Sequence, residues 1–179
     1  MANLIIKPTS GGLLKLQEDG GTDAISIGTD GKSTITHANI TAWTPPAGTI
    51  IQVVQASATA GVETSSQTYV SAGLSKAITP SATSSKVLIS VNQTQDLPAA
   101  GRAARYALYK NGSIHLDNFC YCHADDSRII TNLNHLYLDS PSTTSAVTYE
   151  LYFKTFGAGV HKARYNNMVS TMILMEVSG

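Results

Sequence analysis

Apolar and polar residues alternate along this chain in short runs, and no stretch of about ten residues carries helical periodicity. Over residues 85–93, Val87, Ile89 and Val91 share one face, against Lys86, Ser90 and Asn92 on the other, with Leu88 the exception. Residues 50–55 (IIQVVQ) predict an earlier strand, followed by a polar Ser/Thr/Gly loop over 57–67. Val147, Tyr149, Leu151 and Phe153 form one face of a later strand, opposite Thr148, Glu150 and Lys154. The chain ends in 171–177, with Ile173, Met175 and Val177 on one face and Met172 and Leu174 on the other. A strand apolar on both faces must be covered on both sides. Residues 105–110 and 113–118 flank Asn111-Gly112, a pair suited to the positive φ angles of a two-residue type I′ turn. That hairpin places Tyr109 opposite Ile114 and Ala107 opposite Leu116, leaving Leu108/His115 and Tyr106/Asp117 on the other face. Roughly eight strands in a segment of this size predict an all-β sandwich of jelly-roll-like form.

The first part of the chain is patterned differently. Four β-prone pieces, around Ile5-Ile6, Leu14–Leu16, Ile25–Ile27 and Thr34-Ile35, recur about every ten residues. Gly11-Gly12, Gly20-Gly21 and Asp30-Gly31 separate them as turn signals. Each piece offers one or two apolar residues, too few to bury a core alone. Residues 37–49, with Trp43 and Pro45-Pro46, read as a joint. The expected organisation is a β-stem over 1–48 and a β-sandwich head over 49–179.

Composition narrows the functional classes. Twelve Lys+Arg balance twelve Asp+Glu, and charged residues make up 13% of the 179, about half the usual share. With 42% hydrophobic residues, disorder does not account for the deficit. Hydroxyls fill the gap, with 19 Ser and 20 Thr. This balance suits a surface-hardened β protein better than an ordinary cytosolic enzyme. No basic stripe is available to meet nucleic-acid phosphates, no apolar run approaches a membrane span, and Met1-Ala2-Asn3 opens no signal peptide.

Candidate chemistry is sparse. Cys120 and Cys122 are two residues apart, a step too tight for ordinary disulfide geometry, so synthesis in a reducing compartment is expected. Together with His123, Asp125 and Asp126 they offer zinc-ligating atoms, but ligands packed this closely make a poor tetrahedron, and no metal is expected. His37, His115, His135 and His161 are scattered as surface or strand residues. Gly73-Leu74-Ser75-Lys76-Ala77 lacks the second glycine of a nucleophile elbow. No carboxylate pair marks a glycosidase, and the Gly-Gly pairs lack the lysine and helix of a phosphate loop. Neither enzymatic activity nor a cofactor is expected. The tyrosines remain open between two readings. Tyr106, Tyr109, Tyr121 and Tyr137 either stack against sugars, or pack between the sheets with their hydroxyls at the edge.

Four stretches carry a family resemblance: MANLIIKPTSGGLLKLQEDGG at 1–21, residues 51–91 with ITPSATSSKVLI at 78–89, LDSPSTTSAVTY at 138–149, and MILMEVSG at 172–179. They resemble tail-fibre-type virion proteins of aquatic bacteriophages; the likeness is weakest over 111–136. The resemblance implies an N-terminal β-stem docked on the particle, a jelly-roll-like head, and a homotrimer. The expected function is therefore a non-enzymatic structural protein of the virion, synthesised in the host cytoplasm. Its N-terminal segment binds other virion proteins and its head attaches to a host-surface glycan or protein, with no nucleic-acid binding or membrane insertion. A capsid-decorating or tail-adaptor role is the alternative, and a secreted β-sandwich lectin a third. Trimer-interface candidates are Ile6, Leu14, Leu16, Ile27, Ile35, Met172 and Leu174. Receptor-contact candidates are Tyr106, Tyr121 and Tyr137.

Overall fold

The computed structural model describes residues 14–17, 23–27, 33–35, 45–157 and 159–179. Among them are strands and turns and no helix, so the protein is all-β. The chain divides into two compact units, Met1–Thr44 and Pro45–Gly179.

In the first unit, β1 (Leu14–Gln17), β2 (Asp23–Ile27) and β3 (Ser33–Ile35) form an antiparallel sheet in that order. Leu14 lies opposite Ile27, Leu16 opposite Ile25, and Ile25 opposite Ile35. Ile6 lies outside the described residues.

The second unit opens at Pro45 rather than Thr49 because its first residues are tied to its last. The Gly48 N–H donates to the Ser178 carbonyl at 2.8 Å, the Ser178 N–H to the Thr49 carbonyl at 2.9 Å, and the Ser178 hydroxyl to the Pro45 carbonyl at 3.2 Å. Ten strands follow: β4 (Ile50–Ala58), β5 (Val62–Thr64), β6 (Val70–Ile78), β7 (Lys86–Leu97), β8 (Arg102–Lys110), β9 (Ser113–Ala124), β10 (Ile129–Asp139), β11 (Val147–Thr155), β12 (His161–Ala163) and β13 (Ser170–Val177). Antiparallel pairing nests the long ones, β8 with β9, β7 with β10, β6 with β11, and β4 with β13. Pairing of β13 with β7 and of β11 with β8 then closes two sheets. One is β6-β11-β8-β9; the long strands of the other run β4-β13-β7-β10. A nested hairpin rolled into two facing sheets is a jelly roll. The short strand β12 follows the same edge of β7 as β13 and pairs on its far side with β5.

Alternation sets what fills the sandwich. Val87, Ile89 and Val91 of β7, and Val147, Tyr149, Leu151 and Phe153 of β11, are all buried in one core, as their pattern predicts. Leu74, Ile78, Tyr106 and Leu108 join them from the β6-β11-β8-β9 sheet. Each large side chain buried this way contributes about 1.5–3 kcal/mol.

Three expectations are corrected. Met172 and Leu174 are both 0% exposed, so the inward face of β13 is the one assigned to the trimer interface. Ile173, Met175 and Val177 face outward. The Asn111-Gly112 turn has the expected positive φ at both residues, 50° and 79°, and Tyr109 does pair with Ile114. However, irregularities shift the register, so Leu108 rather than Ala107 lies opposite Leu116, and Tyr106 meets Cys120. Tyr106, on the same face of β8 as Leu108, is turned into the core at 0% exposure, and Asp117 no longer shares its face.

Candidate functional site

Inside the sandwich, polar groups partner one another. His161, at the start of β12, is fully buried, with its Nε2 2.9 Å from the Tyr106 hydroxyl. The Tyr106 and Phe153 rings meet it edge-on. Burial pushes its imidazole down to about 4, partly opposed by the Asp96 backbone and carboxylate. Arg164, held at φ 66°, donates from Nε to the Ala60 carbonyl and from Nη2 to the Ala72 carbonyl, each at 2.6 Å. It staples the β4–β5 loop to β6. Asp96 accepts a two-pronged pair from Arg128, both contacts 2.8 Å.

At the end of β10, Asp139 gathers groups from the opposite sheet. Lys110 Nζ lies 2.7 Å from its carboxylate, and the Tyr149 hydroxyl donates at 2.5 Å. His115 Nε2 is within ion-pair range at 3.1 Å but is not aligned for a hydrogen bond. Burial alone would raise this carboxyl, but the hydrogen bonds from Lys110 and Tyr149, with the charges of His115 and Lys110, hold it below its ordinary value. Glu176, 0% exposed, behaves alike: burial opposes its charge, while Ser81 and Ser85 donate to it and win. The Asp139 network joins the two sheets.

The cysteine cluster is dispersed by the strand it sits on. Cys120 and Cys122 are free, half-buried, and packed against the core, and burial raises both thiols. His123 pairs instead with Asp125 at 2.6 Å. Among the described residues, no group of three or more His, Cys, Asp or Glu side chains is arranged to hold a metal ion.

The sandwich has two contrasting outer faces. On the β4-β13-β7-β10 sheet, the ladder aligns Val53, Met175, Leu88 and Leu138 in one row. Gln55, Ile173, Ser90 and Leu136 form the next. Leu136 is 67% and Val53 56% exposed. Strand β10 explains why alternation alone misreads this face. Its outward positions hold Ile130, Asn132, Asn134, Leu136 and Leu138, and its inward ones Ile129, Thr131, Leu133, His135, Tyr137 and Asp139. Over 135–139 the outward residues are apolar and the inward ones carry polar groups, the reverse of a solvated strand.

On the β6-β11-β8-β9 sheet, the outer face is aromatic and charged. Tyr109 and Tyr152 stack at 3.8 Å between ring centres, with Tyr69 edge-on to Tyr109. The Arg105 guanidinium lies 4.1 Å from the Phe156 ring centre and 5.6 Å from that of Tyr121. Lys154 Nζ sits 4.2 Å over Tyr69, whose hydroxyl donates to Asp117 at 2.7 Å.

The receptor candidates therefore separate. Tyr121 lies on this face, 50% exposed. Tyr137 is half-buried against the core, edge-on to His115. Tyr106 is a core residue. The interface candidates Leu14, Leu16, Ile27 and Ile35 fall in the first unit's sheet, Met172 and Leu174 in the head's core. Arg105, Tyr152, Lys154 and Phe156 carry no motif, and only the strand register brings them together. No protein-family model matches the chain, and no curated protein matches it by sequence.

Proposed function

We propose that this chain is a non-enzymatic, fibre-like structural protein of a phage virion. Its N-terminal unit holds it to the particle, and its jelly-roll head faces the host surface. The division of the head's exterior is the observation that carries this reading. One sheet turns outward two rows rich in Val, Leu, Ile and Met, with Lys86 at one end of β7. Contiguous apolar patches of this kind mark association surfaces. The other sheet turns outward rings and charges suited to a polar partner.

The apolar face supports self-association. Equal numbers of acidic and basic residues remove the repulsion that opposes close approach, and cyclic symmetry closes the contact without open growth. The choice of a trimer follows the resemblance to tail-fibre-type proteins. The N-terminal unit, a small sheet with strands of three to five residues, suits docking by main-chain pairing to another virion protein.

Light scattering on the full chain tests assembly, with a mass three times the 18.9 kDa of one chain expected. Met175→Lys, on the outward face, should dissociate it without unfolding the head. Labelling virions with an antibody to the head locates it on the particle. Label confined to the tail supports attachment, whereas uniform labelling of the capsid overturns it in favour of a decorating role.

A further inference from the structure

Across the outer face of the β6-β11-β8-β9 sheet, the ladder sets two cations side by side. Lys154 of β11 lies directly opposite Arg105 of β8, and Arg105 opposite Tyr121 of β9. Tyr69, just before Val70, flanks Lys154 from the other side, because Val70 pairs with Phe153. The row therefore reads aromatic, cation, cation, aromatic. At about 4.8 Å between strands it spans about 14 Å, the reach of an oligosaccharide rather than a single sugar.

Like charges directly opposite in a ladder destabilise it. Neither Arg105 nor Lys154 forms an ion pair among the described residues; both rest on aromatic rings instead. Asp117, on the same face, is hydrogen-bonded to Tyr69. The two cations are thus left for an anion from outside. The rings beside them, Tyr121 at 50% and Phe156 at 49% exposure, need a partner with an apolar face as well as a charge. A sugar ring bearing a carboxylate supplies both, its C–H face on the rings and its carboxylate on the cations. Single-stranded nucleic acid also joins rings to charge, but needs a basic groove following its backbone. Here Asp117 and Glu150 interrupt the face, and the chain as a whole carries no net charge.

We infer that this face is a binding platform for an acidic glycan, with Arg105 and Lys154 holding its carboxylates and Tyr121 and Phe156 stacking on its rings. The inference rests on the attachment reading above and names the class of molecule attached to. A platform this open binds each glycan weakly, and several heads on one fibre multiply the effect by avidity.

Calorimetric titration of the full chain tests it, with an oligogalacturonate as the probe. A neutral galactose oligomer and polyglutamate serve as comparisons, one lacking the carboxylates and the other lacking the sugar face. The oligogalacturonate should bind at least about tenfold more tightly than either. Lys154→Gln and Arg105→Gln should each weaken it about tenfold and flatten its salt dependence. Tyr121→Ala should weaken it with an unchanged melting curve, and Arg105→Lys should restore part of what Arg105→Gln loses. Failure of the oligogalacturonate to bind overturns the inference, as does equal binding of polyglutamate or tighter binding of an oligothymidylate. Adsorption of labelled wild-type protein to host cells is measured in parallel. Adsorption without oligogalacturonate binding overturns the platform and leaves attachment standing; binding without adsorption supports the platform and overturns attachment.

Discussion

Lowering the pH from 7 to 5 should destabilise the head, chiefly through His161. It is fully buried between Tyr106 and Phe153, and burial takes its imidazole from 6.5 to about 4. The unfolded chain therefore takes up this proton near pH 6.5 and the folded one only near 4. Between those values the unfolded state binds more protons, so stability rises with pH. The contribution is complete above 6.5 and is lost as pH falls toward 4. Over the full window it amounts to about 3 kcal/mol, of which about 2 kcal/mol is lost between pH 7 and 5. The Asp139 and Glu176 carboxyls lie below their ordinary values, so their losses come at still lower pH. Half-buried His135 is also lowered by burial and adds a smaller loss of the same sign. Urea unfolding followed by far-UV circular dichroism, at fixed protein concentration, measures the wild type and His161→Gln at pH 7, 6 and 5. Glutamine keeps an acceptor for the Tyr106 hydroxyl. The variant should start lower at pH 7 but lose about 2 kcal/mol less on acidification. Equal losses in the two proteins would exclude His161 as their source.

Other perturbations separate backbone, core and network. Gly112→Val should cost about 1–3 kcal/mol as backbone strain; at φ 79° with open space around an added Cβ, no clash contributes. An unchanged melting curve would show that the positive φ at this position carries no strain for a β-branched residue. Met172→Lys should abolish folding, because it places an unpaired charge at a fully buried position; a folded, merely dissociated protein would contradict the inward assignment. Asp139→Asn should cost about 2 kcal/mol at pH 7 by stranding Lys110 and weakening the Tyr149 bond. The difference should shrink as pH falls through the native carboxyl's lowered range, and a constant difference would show that charge is not the cause.

Much of the architecture is carried by local signals. Period-two runs in β7 and β11 place their inward residues because a strand sends alternate side chains to opposite faces. Asn111-Gly112 announces its own turn because few other pairs adopt two positive φ angles. Low charge, abundant hydroxyls and a lack of helical periodicity are enough for an all-β chain. Strand β10 is where this reading stops. Its last five residues turn Leu136 and Leu138 outward and His135, Tyr137 and Asp139 inward, so alternation marks a strand there without telling inside from outside.

Partners across the sheets are set by the long-range pairing of strands. Met172 and Leu174 are as apolar as Ile173 and Met175, and the pattern along β13 cannot say which pair turns inward; the facing sheet decides it. Tyr106 and Tyr121 occupy one hairpin, yet register irregularities put the first beside His161 in the core and leave the second half-exposed. Arg105 and Lys154 are 49 residues apart in the chain and meet only because β8 and β11 are paired. Which residues can form strands and turns is legible along the chain, since those preferences are settled within a few residues. Which charges, rings and apolar side chains share a surface depends on ladder register, a long-range property that one extra residue in a bulge is enough to change.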